Sequence, residues 1–394
     1  MALSILSPEA QLLLLTAGGS GNDERIRELL AGPLDWEKLG WLAGRERAAP
    51  VLWERLQSVG AGPLPDAATH LQRLAMVSEF RMLHLEHRLL DTLEVLEDAG
   101  VDAMLLKGAA LAVTSYGSFV RRPMVDLDML LRDMDEARRA RELLVEAGWV
   151  AEDVEEMGEF YRGHHHLPAL SDAGGTGVQL ELHTALFFEG HPFQLSPAEI
   201  WSRAVPISVQ GRRAFVPGVH DQLLHLCLHF AWSHMLSTGA WRAFRDLEML
   251  VATGEVRWKD FIRAAVESRG ASCCYWTFRL ARTLSGVAIP GWVLEALRPP
   301  LPDVVQERVD RHFTYHLLPT EALCPSVAMT YTMWRMGVRP RWSGHGGVRP
   351  WRRTDELLLS LRQREPGTRR LAGQLRNLRG WTRYVRDVLI SDRS

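Results

Sequence analysis

The sequence predicts an α+β fold: a small mixed β-sheet flanked by an N-terminal and a C-terminal helical region. Three observations carry that prediction. Residues 1–100, and the chain beyond about residue 206, read as amphipathic helices. Residues 101–205 hold the short apolar runs expected of strands. The clearest is "VDLDMLL" at 125–131, where Val125, Leu127, Met129 and Leu131 alternate with Asp126, Asp128 and Leu130. The 394 residues suffice for two or three domains, and this pattern divides them into 1–100, 101–205 and 206–394.

In chain order, Ser7 and Pro8 read as the cap and first residue of a helix. "DWEKLGWLAGRER" and "AAPVLWERL" are amphipathic. Residues 66–98 contain no Pro or Gly, and Ala75, Phe80, Leu83, Leu90, Leu93 and Leu96 recur there at roughly helical spacing before Gly100 stops the run. "DAMLL" (102–106) is a short strand running into Lys107-Gly108, and "GAALAVTSYG" reads as a helix. After the 125–131 strand comes a helix over 133–148, then two strands around a Gly-rich turn at 173–177. The order β-α-β-α-β-β implies one small mixed sheet with helices on one side. A hairpin, "PISVQGRRAFVPG", leads into the C-terminal helices. Residues 338–353 read as a Pro/Gly/Arg-rich loop, followed by helices near 354–364 and 368–390.

The net charge of −2 gives no overall bias toward nucleic acid or an anionic membrane. Locally the balance is uneven: Ala322 to Arg353 holds six Arg and no acid, and Gly367 to Ser394 seven Arg against two Asp. Four Cys without framework spacing read as reduced thiols of a cytoplasmic protein, and no stretch has the length of a membrane span.

The chemistry is concentrated on the strand face carrying Asp126 and Asp128. In "VQLELHT", Val178, Leu180 and Leu182 are apolar while Gln179, Glu181 and His183 share the other face, so Glu181 can stand on a neighbouring strand beside the two aspartates. Like charges gathered this closely cost stability unless a cation sits among them. Hard oxygen ligands in this number suit Mg²⁺ or Mn²⁺ bound together with substrate phosphate oxygens. Upstream, the Lys107-Gly108 turn opens a helix whose free N–H groups suit phosphate. Gly108 permits close backbone approach, Lys107 supplies charge, and Arg122 lies four residues before Asp126.

Taken together, "LLKGAALAVTSYG", "RPMVDLDMLL" and "VQLELHTAL" resemble the nucleotidyltransferase superfamily, the polymerase-β-like fold. Within it they resemble a bacterial branch marked by Lys-Gly, Arg-x-x-x-Asp-hydrophobic-Asp and an acid-hydrophobic-His strand. The likeness covers about residues 100–190 and continues into "LLHLCLHFAWSH", "WRAFRDLEML" and "WKDFIRAA". It implies that Asp126, Asp128 and Glu181 bind metal, and that Lys107, Gly108 and Arg122 contact the phosphates of a nucleoside triphosphate. His183 shares the face of Glu181 and is assigned to contact nucleotide or to orient a carboxylate. One departure stands out: many members carry Gly-Ser after the first strand, whereas this chain has Gly108-Ala109.

Other motifs receive structural readings. His164, His165 and His166 read as strand histidines alternating between two sides, and His225 and His229 as packing or site-facing residues of one helix. Asp246 is expected to pair with Arg242 or Arg245, and Trp36, Trp41, Trp201, Trp232, Trp241, Trp258 and Trp276 to pack in the core. Trp342 and Trp351 interleave with Arg in a manner that can bind single-stranded nucleic acid. The expected activity moves a nucleoside monophosphate to a hydroxyl, phosphate or amine acceptor, a small molecule or peptide rather than nucleic acid. The alternatives are a catalytically silent nucleotide-binding or scaffold protein of the same fold, and a transferase acting on RNA or protein.

Overall fold

Ser7 and Pro8 start the first helix as their chemistry requires: the Ser7 hydroxyl accepts the Ala10 N–H and Pro8 occupies the first turn. The computed structural model describes residues 5–60, 62, 64–151, 164–188, 190–318, 327–338, 382 and 384–390. Five helices precede the sheet: α1 (Pro8–Leu15), α2 (Asp23–Leu30), α3 (Trp36–Glu46), α4 (Ala49–Val59) and α5 (Thr69–Asp98). On α5 the buried stripe is Leu71, Ala75, Met82, Leu85, Leu89, Leu93 and Leu96, whereas Phe80 and Leu83 are exposed. Apolar residues occupy more than one face of this helix, and the stripe that meets the neighbouring elements is the one that is buried.

The sheet follows, with strands β1 (Met104–Leu105), β2 (Asp126–Leu130), β3 (Trp149–Ala151), β4 (Leu170–Asp172), β5 (Gln179–His183), β6 (Val205–Val209) and β7 (Arg212–Val216). Between them lie α6 (Lys107–Leu111), continued by a π-turn at Ala112–Tyr116, then α7 (Met134–Glu146) and α8 (Pro197–Ser202). Asp133 caps α7 by accepting the Glu136 N–H at 2.8 Å. The sheet order is β3-β4-β5-β2-β1-β7-β6, with β2 parallel to β5, β1 parallel to β7, and the other pairs antiparallel. The predicted hairpin, β6–β7, therefore adds two strands to this sheet, which runs past residue 205.

Helices cover both faces of the sheet, not one. Leu127, Met129, Leu180 and Leu182 pack into a core with Leu89, Leu93 and Leu96 of α5 and Ala137, Ala140 and Leu144 of α7. Met104, Leu106 and Leu130 turn the other way, into a larger core built with the N- and C-terminal helices. The reason lies in the alternation itself: Leu130 puts an apolar residue on the same face as the acids, and that face too demands a cover. The cover includes α9 (Val219–Leu228), its π-turn at His229–Ser233, and α10 (Ala240–Ala252). Beyond these come α11 (Trp258–Glu267), α12 (Ala271–Ser285), α13 (Gly291–Leu297), α14 (Asp303–His316) and α15 (Val327–Val338).

Trp241, Trp276, Trp201 and Trp232 are buried as expected, and Trp36 and Trp258 are half-buried against the core, but Trp41 is 51% exposed with Arg45 stacked over its ring. The Arg-rich loop at 338–353, with Trp342 and Trp351, lies outside the described residues apart from Val338, as does the helix expected near 354–364. Of the last expected helix, only its end is described, as a π-turn at Val385–Ile390. No helix among the described residues is long and apolar enough to cross a membrane.

Candidate active site

β2 and β5 run side by side in a register that pairs Asp126 with Gln179, Asp128 with Glu181 and Leu130 with His183. Two carboxylates thus stand directly abreast on one face. Asp128 is 3% exposed. Its Oδ1 receives the Lys107 ammonium at 2.6 Å and lies 2.9 Å from His183 Nε2. The same His183 nitrogen lies 3.3 Å from Glu181 Oε2. Asp128, Glu181 and His183 each offer a ligand atom, all within 4.8 Å of one another. Asp126 stands two residues before Asp128 on the same face, half-buried.

Burial works against ionisation of Asp128, but Lys107 and His183 outweigh it and hold the carboxyl well below its usual range. Asp126 goes the other way: burial, and then the charge on Asp128, push it up. Two neighbouring carboxyls of one strand are thereby held at different proton affinities. Burial would also discharge Lys107 and His183. For Lys107 the carboxylates of Asp128 and Glu181 prevail, for His183 its hydrogen bonds to the same two acids, and both groups are held above their ordinary values.

The turn that delivers Lys107 is strained. Lys107 has φ +46°, a left-handed conformation costing a side-chain-bearing residue about 1 kcal/mol or more. Gly108 is helical, and its missing side chain serves a close approach: a Cβ there would lie 3.1 Å from Met124 Sδ and 3.4 Å from Arg122 Nη1. Arg122 therefore reaches the start of α6. The rest of its guanidinium is bound to Asp246 of α10 in a bidentate pair, Nε to Oδ1 at 2.6 Å and Nη2 to Oδ2 at 2.8 Å. Tyr116 donates to the same Oδ1 at 2.7 Å. The expected partners of Asp246, Arg242 and Arg245, are replaced by Arg122, because Asp246 points back across the fold toward the sheet rather than along its own helix.

Histidines form a second layer. The rings of His165 and His166 both lie 5.2 Å from that of His183, so the three consecutive histidines do not alternate between two sides as a regular strand would require. Burial, then neighbouring cationic groups, push His165 down to about 2, His225 to about 3 and His234 to about 4. For His225 and His229 the next-largest influence after burial is Lys107, which brings α9 and its π-turn over the acid face. The i, i+4 spacing signalled those two in the sequence. Nothing in the sequence signalled Glu46 of α3 or Arg47 just past its end, and Arg242 was read there only as a partner of Asp246; all three reach this region.

A single family model decides what this strand pair belongs to: the uncharacterised nucleotidyltransferase model matches residues 32–286, about two thirds of the chain. The chain is a member of that nucleotidyltransferase family. No curated protein and no solved structure matches it. The match covers the whole sheet, and it starts ahead of α3 and ends after α12. It thus includes the helices on the acid face as well as the strands beneath them. The nucleotidyltransferase is an enzyme that transfers phosphorus-containing groups, and a nucleoside triphosphate is the substrate the family implies.

Proposed function

We propose that the acid face between β2 and β5 is a metal-dependent nucleotidyl-transfer site. On this reading it moves a nucleoside monophosphate from a nucleoside triphosphate to a hydroxyl, phosphate or amine of a small molecule or peptide. The observation that carries the reading is the abreast pairing of Asp128 with Glu181, with Asp126 alongside and Lys107 reaching in from the adjoining turn. The donor set fits a divalent ion: two carboxylate oxygens and an imidazole nitrogen lie within ligand reach, and a third carboxylate lies on the same strand. Asp126, Asp128 and Glu181 would hold it, their oxygens suiting Mg²⁺ or Mn²⁺. Bound there, the ion would supply Lewis acidity at the phosphorus and charge neutralisation at the leaving pyrophosphate.

The chain's own residues do the rest. Lys107 carries a positive charge at the entrance of α6, where phosphate oxygens can also reach first-turn N–H groups that no side chain caps. This compensates for the Ser hydroxyl that Ala109 lacks. Arg122 is held rigid by Asp246 and by the Pro123 carbonyl, to which Nη1 donates at 3.0 Å, and with Nη1 beside Gly108 its charge can meet the phosphates without costly ordering. Glu181 is half-buried, unlike Asp128, and its carboxylate can accept the acceptor's proton as the new P–O or P–N bond forms. His183 holds both acids and fixes their orientation. The described cysteines Cys227, Cys273 and Cys274 are free and buried, which suits a reducing compartment and a cytoplasmic enzyme.

Pyrophosphate release across the four common triphosphates, with Mg²⁺ or Mn²⁺ present, tests the reading. Release should require metal and should vanish in Asp126→Ala and Asp128→Ala. Undiminished release in both variants would overturn it.

A further inference from the structure

The cations around Asp126 are not paired alike. Lys107 is taken by Asp128, and Arg122 by Asp246. Glu46, fully buried, is spent on backbone: its Oε1 and Oε2 accept the N–H groups of Gly239 and Trp241 at 3.3 and 3.0 Å, at the start of α10. Two guanidinium groups are left over. Arg47 immediately follows Glu46 and is held at φ +56° where α3 ends, and Arg242 stands in the first turn of α10. Neither guanidinium makes a hydrogen bond or ion pair among the described residues.

Both face the site. Asp126 is the strongest attraction on Arg47, and Arg122 its strongest repulsion. Burial, then Arg47 and Arg122, push Arg242 down to about 10 against the pull of Glu46 and Asp246. Three arginines thus repel one another here, with Asp126, Asp246 and the buried Glu46 as the carboxylates that attract them. The crowding is fixed by the fold. Glu46 ties the end of α3 to the start of α10, and Asp246 ties α10 to Arg122. Gly239, at φ +75°, leaves the space into which Arg242 folds: a Cβ there would lie 2.8 Å from Arg242 Nη2. Unpaired, mutually repelling guanidinium groups held rigidly next to a phosphoryl-transfer centre are complemented by an anion with several oxygens.

We propose that Arg47 and Arg242 form a binding site for a phosphate group next to the Asp126 carboxylate, with the terminal phosphates of the triphosphate as its occupant. This rests on the proposed transfer site for its substrate, but the anion site itself can be tested without turnover. The probe is inorganic tripolyphosphate, titrated against the full-length protein and followed by tryptophan fluorescence and calorimetry. Arg47→Gln and Arg242→Gln should each weaken binding by about tenfold, the loss of one charge-assisted contact, with Arg242→Lys restoring part of it. The melting temperature of Arg47→Gln should hold or rise, since burial disfavours the charge it removes. Loss of both tripolyphosphate and nucleoside triphosphate affinity assigns the site to the donor's tail. Loss of orthophosphate binding alone, measured with nucleotide saturating, assigns the same anion site to an acceptor's phosphate. Unchanged affinity for all three probes in both Gln variants overturns the proposal. If no triphosphate supports pyrophosphate release but tripolyphosphate binding still depends on Arg47 and Arg242, the transfer reading fails and the anion site stands.

Discussion

Asp126 and Asp128 are two residues apart on one strand, yet the fold treats their charges differently. Asp128 is ionised and tied to Lys107 and His183. Asp126 has its carboxyl pushed up by burial and by Asp128. A folded-state value above the unfolded one means that ionised Asp126 costs the protein stability at neutral pH. Asp126→Asn should therefore keep or raise the melting temperature in metal-free buffer while reducing transfer by about two to three orders of magnitude. Added Mn²⁺ should stabilise the wild type and stabilise this variant much less. Parallel melting curves with and without Mn²⁺, alongside a pyrophosphate assay, check both halves. At this scale the sequence was informative: alternation put Asp126 and Asp128 on one face of one strand and allowed Glu181 to stand beside them on a neighbouring strand, as the β2–β5 register has it, and a helical start followed from the Lys-Gly turn. The left-handed strain falls on Lys107 rather than Gly108, and local pattern could not reveal that because the strain is imposed by tertiary context.

Elements, not single residues, set the cationic frame. The buried pair between Arg122 and Asp246 joins the segment before β2 to α10, across 124 residues of sequence. Removing one partner strands the other's charge, so Asp246→Ala should cost about 3–5 kcal/mol. Replacing both, as Arg122→Met with Asp246→Leu, should recover much of that loss, and urea denaturation of the double-mutant cycle measures the coupling. Activity should fall in all three variants. This is where sequence reading ran out. Asp246 was legible as an ion-pairing acid in an apolar helix, but local spacing favours partners one turn away, and the true partner comes from a distant segment. Arg47 was invisible for the same reason, since nothing within α3 shows that its end abuts α10. The helices on the acid face were foreseen as elements, but their docking over the carboxylates was not. Period-two patterning tells which residues share a face, not what later covers it.

Across the whole molecule, buried imidazoles dominate the expected response to acid. His225 and His312 are 4% and 1% exposed, and burial holds them down to about 3 and about 2. In the unfolded chain both take up a proton near the ordinary histidine value of about 6.5. Between that value and their folded values the unfolded state binds more protons, so stability is full above about pH 6.5 and declines as pH falls. Each such histidine can contribute up to about 1.4 kcal/mol per pH unit across that window. Urea midpoints should drop steeply from pH 7 to pH 5, and His312→Gln should flatten the slope. A flat profile in the wild type would show these imidazoles to be solvated.

The Glu46 clasp on the first turn of α10 carries one more consequence. A recombinant fragment trimmed to the seven strands and their intervening helices would retain every acid of the proposed transfer centre. It would lose the glutamate that seats α10, the aspartate that immobilises Arg122 and both spare guanidinium groups. Miniaturised versions should therefore be inert even when soluble, because the helices flanking the sheet carry groups on which the proposed site depends.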